Sequence, residues 1–306
     1  MFDLIKKFKK LFDNSSRDFA KSTCSNSPMS NNINSEDNLT VWEKVQIARH
    51  PNRPHGLDYI NYIFSDFFEL CGDRFNENDN AIIGGIAKLE NQSIMVIVHE
   101  KGHDIETRIK HNFGMANPHG YKKACRLMEI ASELKIPVLT LIDTSGAYPG
   151  IISEERGQGY VLAKCLELSS DLNVPNISVI IGEGGSGGAI SLALSNVVLM
   201  LENSIYAIIS PEGCSAILWK DQKYKEKAAE AQKLTAQDLY KYGMIDDIIP
   251  EPKGGAHQSK TATMDQVKKY IMHHVNKLIK EFKENPESIK RKRAVKFLNM
   301  GNATDA

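Results

Sequence analysis

The sequence is poor in the residues that would tie it to a metal, a disulfide framework or a membrane. Its five cysteines (Cys24, Cys71, Cys125, Cys165 and Cys214) lie far apart and include no Cys-x-x-Cys pair. A zinc site or disulfide scaffold is therefore not expected, and buried free thiols in a reducing compartment are. No stretch approaches the ~20 apolar residues of a membrane span. No secretory apolar region with a small-residue cleavage site is present, so the expected location is cytoplasmic. Neither sign of charge is in excess: Lys plus Arg and Asp plus Glu each number 38, which removes the electrostatic argument for nucleic acid. His103 and His111 have no third ligand in view, so no metal is expected on this chain. What is abundant is apolar content, 42% of 306 residues, enough to bury a full core as one large domain or two small ones.

Glycine is concentrated where it carries most meaning. Ile177 to Ile181 reads as a buried strand that runs into Gly182-Glu-Gly-Gly-Ser-Gly-Gly188, after which Ala189 to Leu194 resumes an apolar, helix-compatible pattern. Such a turn lets bare peptide N–H groups approach a ligand. The helix behind it adds unpaired N–H groups and a positive dipole end. The peptide suits negative charge, and three readings of that charge stay open. Gly182-x-Gly184-x-x-Gly187, with Glu202 twenty residues on, matches a dinucleotide fingerprint. Gly184-x-Ser186-x-Gly188, with Asp246 or Asp247 and then His257 downstream, matches a serine-hydrolase elbow. The third reading is plain oxyanion stabilisation. No Lys-Ser/Thr pair follows the glycines, so a P-loop is excluded.

Residues 1–39 divide into a basic amphipathic segment, Met1 to Phe12, and a stretch from Asn14 to Asn38 dominated by Ser and Asn. The first suits a helix lying on a membrane surface or docking on protein, the second a flexible linker. The folded part is expected at 40–260, and 261–306 carries a C-terminal helix and a basic tail in which Lys290 to Arg293 reads as a solvated face. Within the domain the pattern predicts helices over 41–49, 57–70, 118–134, 153–169, 211–220, 228–242 and 266–282. Strands are predicted over 81–89, 93–99, 136–142, 177–181, 197–201, 204–209 and 245–249. The polar segment 101–115 reads as a functional loop or a connection. A second glycine turn, Gly146-Ala-Tyr-Pro-Gly150, follows the strand ending at Ile142. Two such turns suit a reaction that develops negative charge on two oxygens better than they suit a hydrolase or a dinucleotide fold.

Longer motifs narrow this. Ala48-Arg-His-Pro-Asn-Arg-Pro54, Gly72-Asp-Arg74, Lys101-Gly102, Asn112-Phe-Gly-Met115, Gly146-Ala-Tyr-Pro-Gly150, Glu154-Glu-Arg-Gly-Gln158, Ile181-Gly-Glu-Gly-Gly-Ser-Gly-Gly-Ala189, Ile209-Ser-Pro-Glu-Gly213 and Gly254-Gly-Ala-His257 resemble the carboxyltransferase alpha-subunit family of bacterial-type, multi-subunit acetyl-CoA carboxylase, within the crotonase superfamily. The likeness covers roughly residues 42–258. It departs from the family at Ser145 (usually proline), His103 (usually arginine) and His119 (commonly glutamate), and in having a Ser/Asn segment where the family has more helix.

The resemblance implies an α/β crotonase (ClpP-like) fold of repeated ββα units forming a superhelix, with flanking helices. It implies a transferase that moves carboxylate from carboxybiotin to acetyl-CoA, giving malonyl-CoA, the first committed metabolite of fatty-acid synthesis. Biotin would arrive on a biotin carboxyl carrier protein, and ATP would be consumed by biotin carboxylase. A beta subunit would carry the zinc and complete an α2β2 assembly. Gly187 and Gly188 are the implied oxyanion hole for the biotin ureido oxygen. Gly146, Ala147, Gly184 and Gly185 are the implied substrate-binding wall. The alternative is a serine hydrolase acting through Ser186.

Overall fold

A computed structural model describes residues 39–75 and 77–301. The amphipathic segment 1–12 and the Ser/Asn stretch 14–38 lie outside the described residues.

The first helix, α1 (Val41–Ala48), starts at a reciprocal cap. The Thr40 hydroxyl accepts from Glu43 N at 3.2 Å, while the Glu43 carboxylate accepts from Thr40 N at 2.7 Å. α2 (Gly56–Ile63) is shorter than the helix predicted over 57–70. Phe64 leaves helical geometry, and β1 (Ser65–Glu69) pairs antiparallel with β2 (Ile82–Leu89). Phe67 and Phe68 fit strand or helix, and the free edge of β2 decides for strand. β2 and β3 (Gln92–His99) form a hairpin across Glu90-Asn91, with Glu90 at φ +54°.

The segment after β3 is more ordered than its polarity suggested, with α3 (Ile105–Lys110) and a 3-10 turn at Asn112–Gly114. α4 (Pro118–Leu134) begins on proline and stops at Lys135 in the left-handed region. β4 (Val138–Thr144) follows. The helix predicted over 153–169 is two, α5 (Ile151–Glu155) and α6 (Gln158–Asp171), divided at Gly157 with φ +83°. Next come β5 (Asn176–Gly185), α7 (Ser186–Ala193), β6 (Val197–Leu201), β7 (Ile205–Ala207) and α8 (Pro211–Trp219). The helix predicted over 228–242 is also two. α9 (Lys225–Gln232) ends at Lys233, and the Thr235 side chain caps α10 (Ala236–Lys241). β8 (Asp247–Ile249), α11 (Lys260–Glu284) and α12 (Pro286–Asn299) complete the order.

The sheet runs β1-β2-β3-β4-β5-β6-β8, with β7 added to β5. It is antiparallel through β3 and parallel from β3 to β8. β4 is buried at every residue, as expected of a parallel strand covered on both faces. β5 serves two partners in succession: Ile177 to Ile180 pair with β6, and Glu183 to Gly185 with β7. The core joins Met95, Ile97 and Ile142 of the sheet to Tyr121, Leu127 and Met128 of α4 and Val161 of α6.

The basic run 290–293 is not simply solvated. Arg293 is buried and donates to Asn176 Oδ1 at 2.8 Å, Asn196 Oδ1 at 2.9 Å and the Leu172 carbonyl. Lys296 meets Asp246 at 2.7 Å. α12 thus clasps the loops at the start of β5 and β6.

Candidate active site

The C-terminal ends of β4 and β5 lie side by side, and each empties into a glycine turn. Their register slips between Ile142, opposite Ile180, and Thr144, opposite Gly184. The slip brings Glu183 N to Asp143 Oδ1 at 2.9 Å. It also fixes Gly182, where a β-carbon would stand 2.5 Å from the same oxygen. The turns themselves touch. A β-carbon on Gly185 would sit 2.2 Å from Ser145 O; one on Gly188 would sit 2.7 Å from Ala147 N and 2.8 Å from the Tyr121 hydroxyl. Glycine at 185 and 188 is required by this close approach of two backbones.

The sequence-derived residues Gly146, Ala147, Gly184, Gly185, Gly187 and Gly188 therefore converge at one place. Their N–H groups are not equivalent. Gly146 N donates to Thr144 Oγ1 at 3.1 Å, and that hydroxyl donates back to Gly146 O at 2.8 Å. Tyr148 N donates to Ala116 O at 3.0 Å. At the second turn no side chain caps the start of α7, whose leading N–H groups have no carbonyl within the helix to take them. Ser186 sits there at φ +49° and is half-buried. This strained serine has the backbone of an elbow but not the partners. The His257 ring is stacked on His50 at 3.8 Å, and Asp246 binds Lys296 and Val198 N. Neither bonds to Ser186. Glu202, the would-be ribose acid, accepts from Glu251 N.

Behind the turns runs a chain of alternating charges that sequence reasoning missed. Glu212 meets Arg49 at 2.7 Å, Arg49 meets Glu183 at 2.7 Å, and Glu183 meets Lys101 at 2.8 Å. Lys101 meets Asp143 at 2.7 Å, and Asp143 meets His55 Nδ1 at 3.1 Å. Burial works against ionising Asp143, but Lys101 and the His55 hydrogen bond outweigh it and hold the carboxyl far below the usual carboxylate range. Burial likewise works against Lys101 and Glu183. Asp143 and Glu183 raise Lys101; Lys101 and Arg49 lower Glu183. All three stay charged at neutral pH. A cleft of about 200 Å³ opens over this chain, lined by Arg49, His50, Lys101, Phe113, Ser145 and Glu183. The signal available in the sequence was a charged residue at the end of a strand: Lys101 just after β3, Asp143 in β4 and Glu183 in β5.

The segment 101–115 divides by role. Lys101 and Phe113 face the cleft, the latter with φ +55°. His111 is structural, with Nδ1 2.6 Å from Asn80 O. His103 meets Asp58 at 3.0 Å and stands against the His55 ring at 4.7 Å. Among the described residues no group of three or more His, Cys, Asp or Glu is placed to hold a metal ion.

Known proteins resemble this chain in sequence and in fold. Residues 3–301 match the family described as acetyl co-enzyme A carboxylase carboxyltransferase-like. The chain is 50% identical over 266 residues to the acetyl-coenzyme A carboxylase carboxyl transferase subunit alpha of Paramagnetospirillum magneticum, covering 87% of this chain and 83% of that one. It is 51% identical over 265 residues to the same subunit of Ruegeria pomeroyi, covering 86% and 82%. Among solved structures, the transcarboxylase 12S hexamer core superposes with TM-score 0.55 at 18% identity, over 68% of this chain and 40% of that one. The geranyl-CoA carboxylase beta subunit of P. aeruginosa superposes with TM-score 0.53 at 17% identity, over 76% and 45%. The chain spans less than half the length of either, and at such identities these two establish the crotonase-like fold alone. The abutting glycine turns, the fold they close and the half-identical relatives converge: the chain belongs to the acetyl co-enzyme A carboxylase carboxyltransferase-like family.

Proposed function

We propose that this chain is the alpha half of a biotin-dependent carboxyltransferase that, with a beta-type subunit, carries carboxylate from carboxybiotin to acetyl-CoA and yields malonyl-CoA for fatty-acid synthesis. The observation that carries the reading is the contact of two glycine turns at a helix start that no side chain caps. Carboxybiotin, delivered by a carrier protein, supplies the carboxyl group and a ureido oxygen that gains negative charge as that group departs. Backbone N–H donors preorganised at the start of α7 fit such a group.

In this reading the N–H groups of Gly187 and Gly188 donate to the charged oxygen, reinforced by the positive end of α7. Ala147 N, beside Gly188, is a second donor. Gly146, whose N–H is taken by Thr144, forms wall rather than hole, as do Gly184 and Gly185. Each preorganised donor is worth on the order of 10²–10³ in rate. Asp143, Lys101 and Glu183 hold the strand ends so that the donors need not reorganise. Ser186 is a turn residue.

The acyl-CoA side, with its zinc ribbon, belongs to the beta subunit. Two αβ pairs, a biotin carboxyl carrier protein and a biotin carboxylase complete the cytoplasmic assembly. The test is malonyl-CoA decarboxylation to acetyl-CoA with biocytin as acceptor. Activity is expected only when a beta-type subunit is added. Full activity from the isolated chain would overturn the split site.

A further inference from the structure

The structure assigns a thiol–disulfide pair to Cys125 and Cys165, which on oxidation fastens α4 to α6 behind the Gly187-Gly188 turn and slows the enzyme. The inference rests on the proposed carboxyltransferase reading for its kinetic part only. Cys125 Sγ and Cys165 Sγ stand 3.0 Å apart. Both are free thiols; Cys165 is wholly buried, and Cys125 retains 9% exposure. Cys71 is exposed and Cys214 partly so, and among the described residues neither is paired with another cysteine.

What makes the pair consequential is what lies one helical turn before each member. Tyr121, four residues before Cys125 on α4, places its hydroxyl 2.8 Å from where a β-carbon on Gly188 would be. Leu162, three residues before Cys165 on α6, places Cδ1 3.1 Å from the equivalent point on Gly187. Residues three and four apart share a helix face. The two thiols and the two side chains that back the turn therefore lie along one α4–α6 seam. Cys165 Sγ also donates to Tyr121 O at 3.4 Å, which joins the pair directly to the residue under Gly188.

A disulfide needs its sulfurs about 2.05 Å apart, so closure draws the helices together by up to about 1 Å. The oxidant in the proposal is a peroxide. Cys125, the member with access, attacks one peroxide oxygen as its thiolate. The O–O bond breaks, hydroxide leaves and is protonated to water, and Cys125 becomes a sulfenic acid. Cys165 sulfur then attacks Cys125 Sγ. The S–S bond forms and the S–O bond breaks, and the departing hydroxide takes the Cys165 proton to leave as a second water. Two thiols have lost two electrons, and the peroxide has gained them. The hydrogen bond with Cys125, and then burial, push the Cys165 thiol well above its ordinary pKa. Resolution is therefore slow, and the pair stays reduced without an oxidant.

The experiment treats the full-length αβ complex with hydrogen peroxide and follows it two ways. Non-reducing peptide mapping is expected to show a Cys125–Cys165 cross-link. Decarboxylation turnover is expected to fall about tenfold or more, because a 1 Å misplacement near a reacting centre costs up to about 10². Dithiothreitol should restore it. The same treatment of Cys125→Ala and Cys165→Ala complexes should leave turnover intact. Cys165→Ser, whose hydroxyl can keep the bond to Tyr121 O, serves where alanine lowers yield. Absence of the cross-link when Cys71 is fully oxidised would overturn the pair. So would a cross-link that leaves turnover unchanged, or equal loss in the alanine variants. An untreated complex without activity would instead refute the carboxyltransferase reading, and the peptide map would still test the pair.

Discussion

Gly188 is the residue on which the proposed chemistry turns, because its missing side chain lets Ala147 N and the Tyr121 hydroxyl stand against the α7 start. Gly188→Val is expected to lower turnover by at least about 10²-fold, the worth of one lost donor, while the αβ complex still assembles on gel filtration. Near-normal turnover in an assembled complex would place the oxyanion site elsewhere. His99 gives the fold a pH signature of its own. It is wholly buried and pushed down to about 4, chiefly by burial, which overrides an opposing pull from Asp143, with a smaller push from Lys101. Between its ordinary pKa of 6.5 and that value the unfolded chain binds a proton that the fold refuses, so stability falls as the solution is acidified. The expected loss is about 3 kcal/mol across that window. Denaturant melts at pH 7.0, 5.5 and 4.5 should show it, and His99→Phe should flatten the slope. The glycines of the site were visible in the sequence because turns announce themselves. Lys101, Asp143 and Glu183 were not, because each lies in or next to an apolar strand and becomes a partner only when β3, β4 and β5 are aligned, and His55 joins them from the start of α2.

At the scale of elements, α12 is the part whose role the sequence concealed. Four basic residues in a row suggest solvent, yet Arg293 reaches inward to Asn176, Asn196 and the Leu172 carbonyl. Arg293→Ala removes these charge-assisted hydrogen bonds, while Asn196 N and Asn176 N still donate to the two amide oxygens, and is expected to cost on the order of 3 kcal/mol, read as a lower urea midpoint with unchanged slope. α4 and α8, which start on Pro118 and Pro211, were legible to the residue at their N-termini, whereas α12, which starts on Pro286, was not. α2 and β1 were not, because Phe67 and Phe68 suit either state and only the unpaired edge of β2 selects one. The split of 228–242 into α9 and α10 follows from Lys233 in the left-handed region and a new cap at Thr235, neither of which interrupts the apolar pattern.

At the scale of the whole molecule, apolar side chains stand unshielded beside the charge chain. Ile208 is 79% exposed, Ile217 69% and Leu218 64%, on and just before the helix whose Glu212 binds Arg49. An apolar group of this kind on a chain of a multi-subunit family marks a partner surface. Ile217→Glu is expected to weaken co-purification with a beta-type subunit by at least about tenfold, as removal of an interface anchor does, without lowering the melting temperature of the isolated chain. Unchanged association would move the partner surface to another face. Which residues of 208–219 point outward was not readable from the sequence, since Trp219 is half-buried and Ile208 is almost free.

Both flanks of the domain return to β5. Arg53 donates to Ile181 O at 2.9 Å and to Glu251, a residue 198 positions later, and Arg293 closes on Asn176 from the other side. This has a consequence in time. At the ribosome's pace of about 10 residues per second, Arg53 waits about 20 s for Glu251 to be made, and Asn176 waits about 12 s for Arg293. The glycine turns are translated well before the groups that brace their strand. A nascent chain halted before residue 285 would carry every residue of the proposed oxyanion site on a β5 whose start is not yet clasped. The proposed site is braced only after Glu251 and Arg293 have been made, and a partner subunit would meet a braced surface only then.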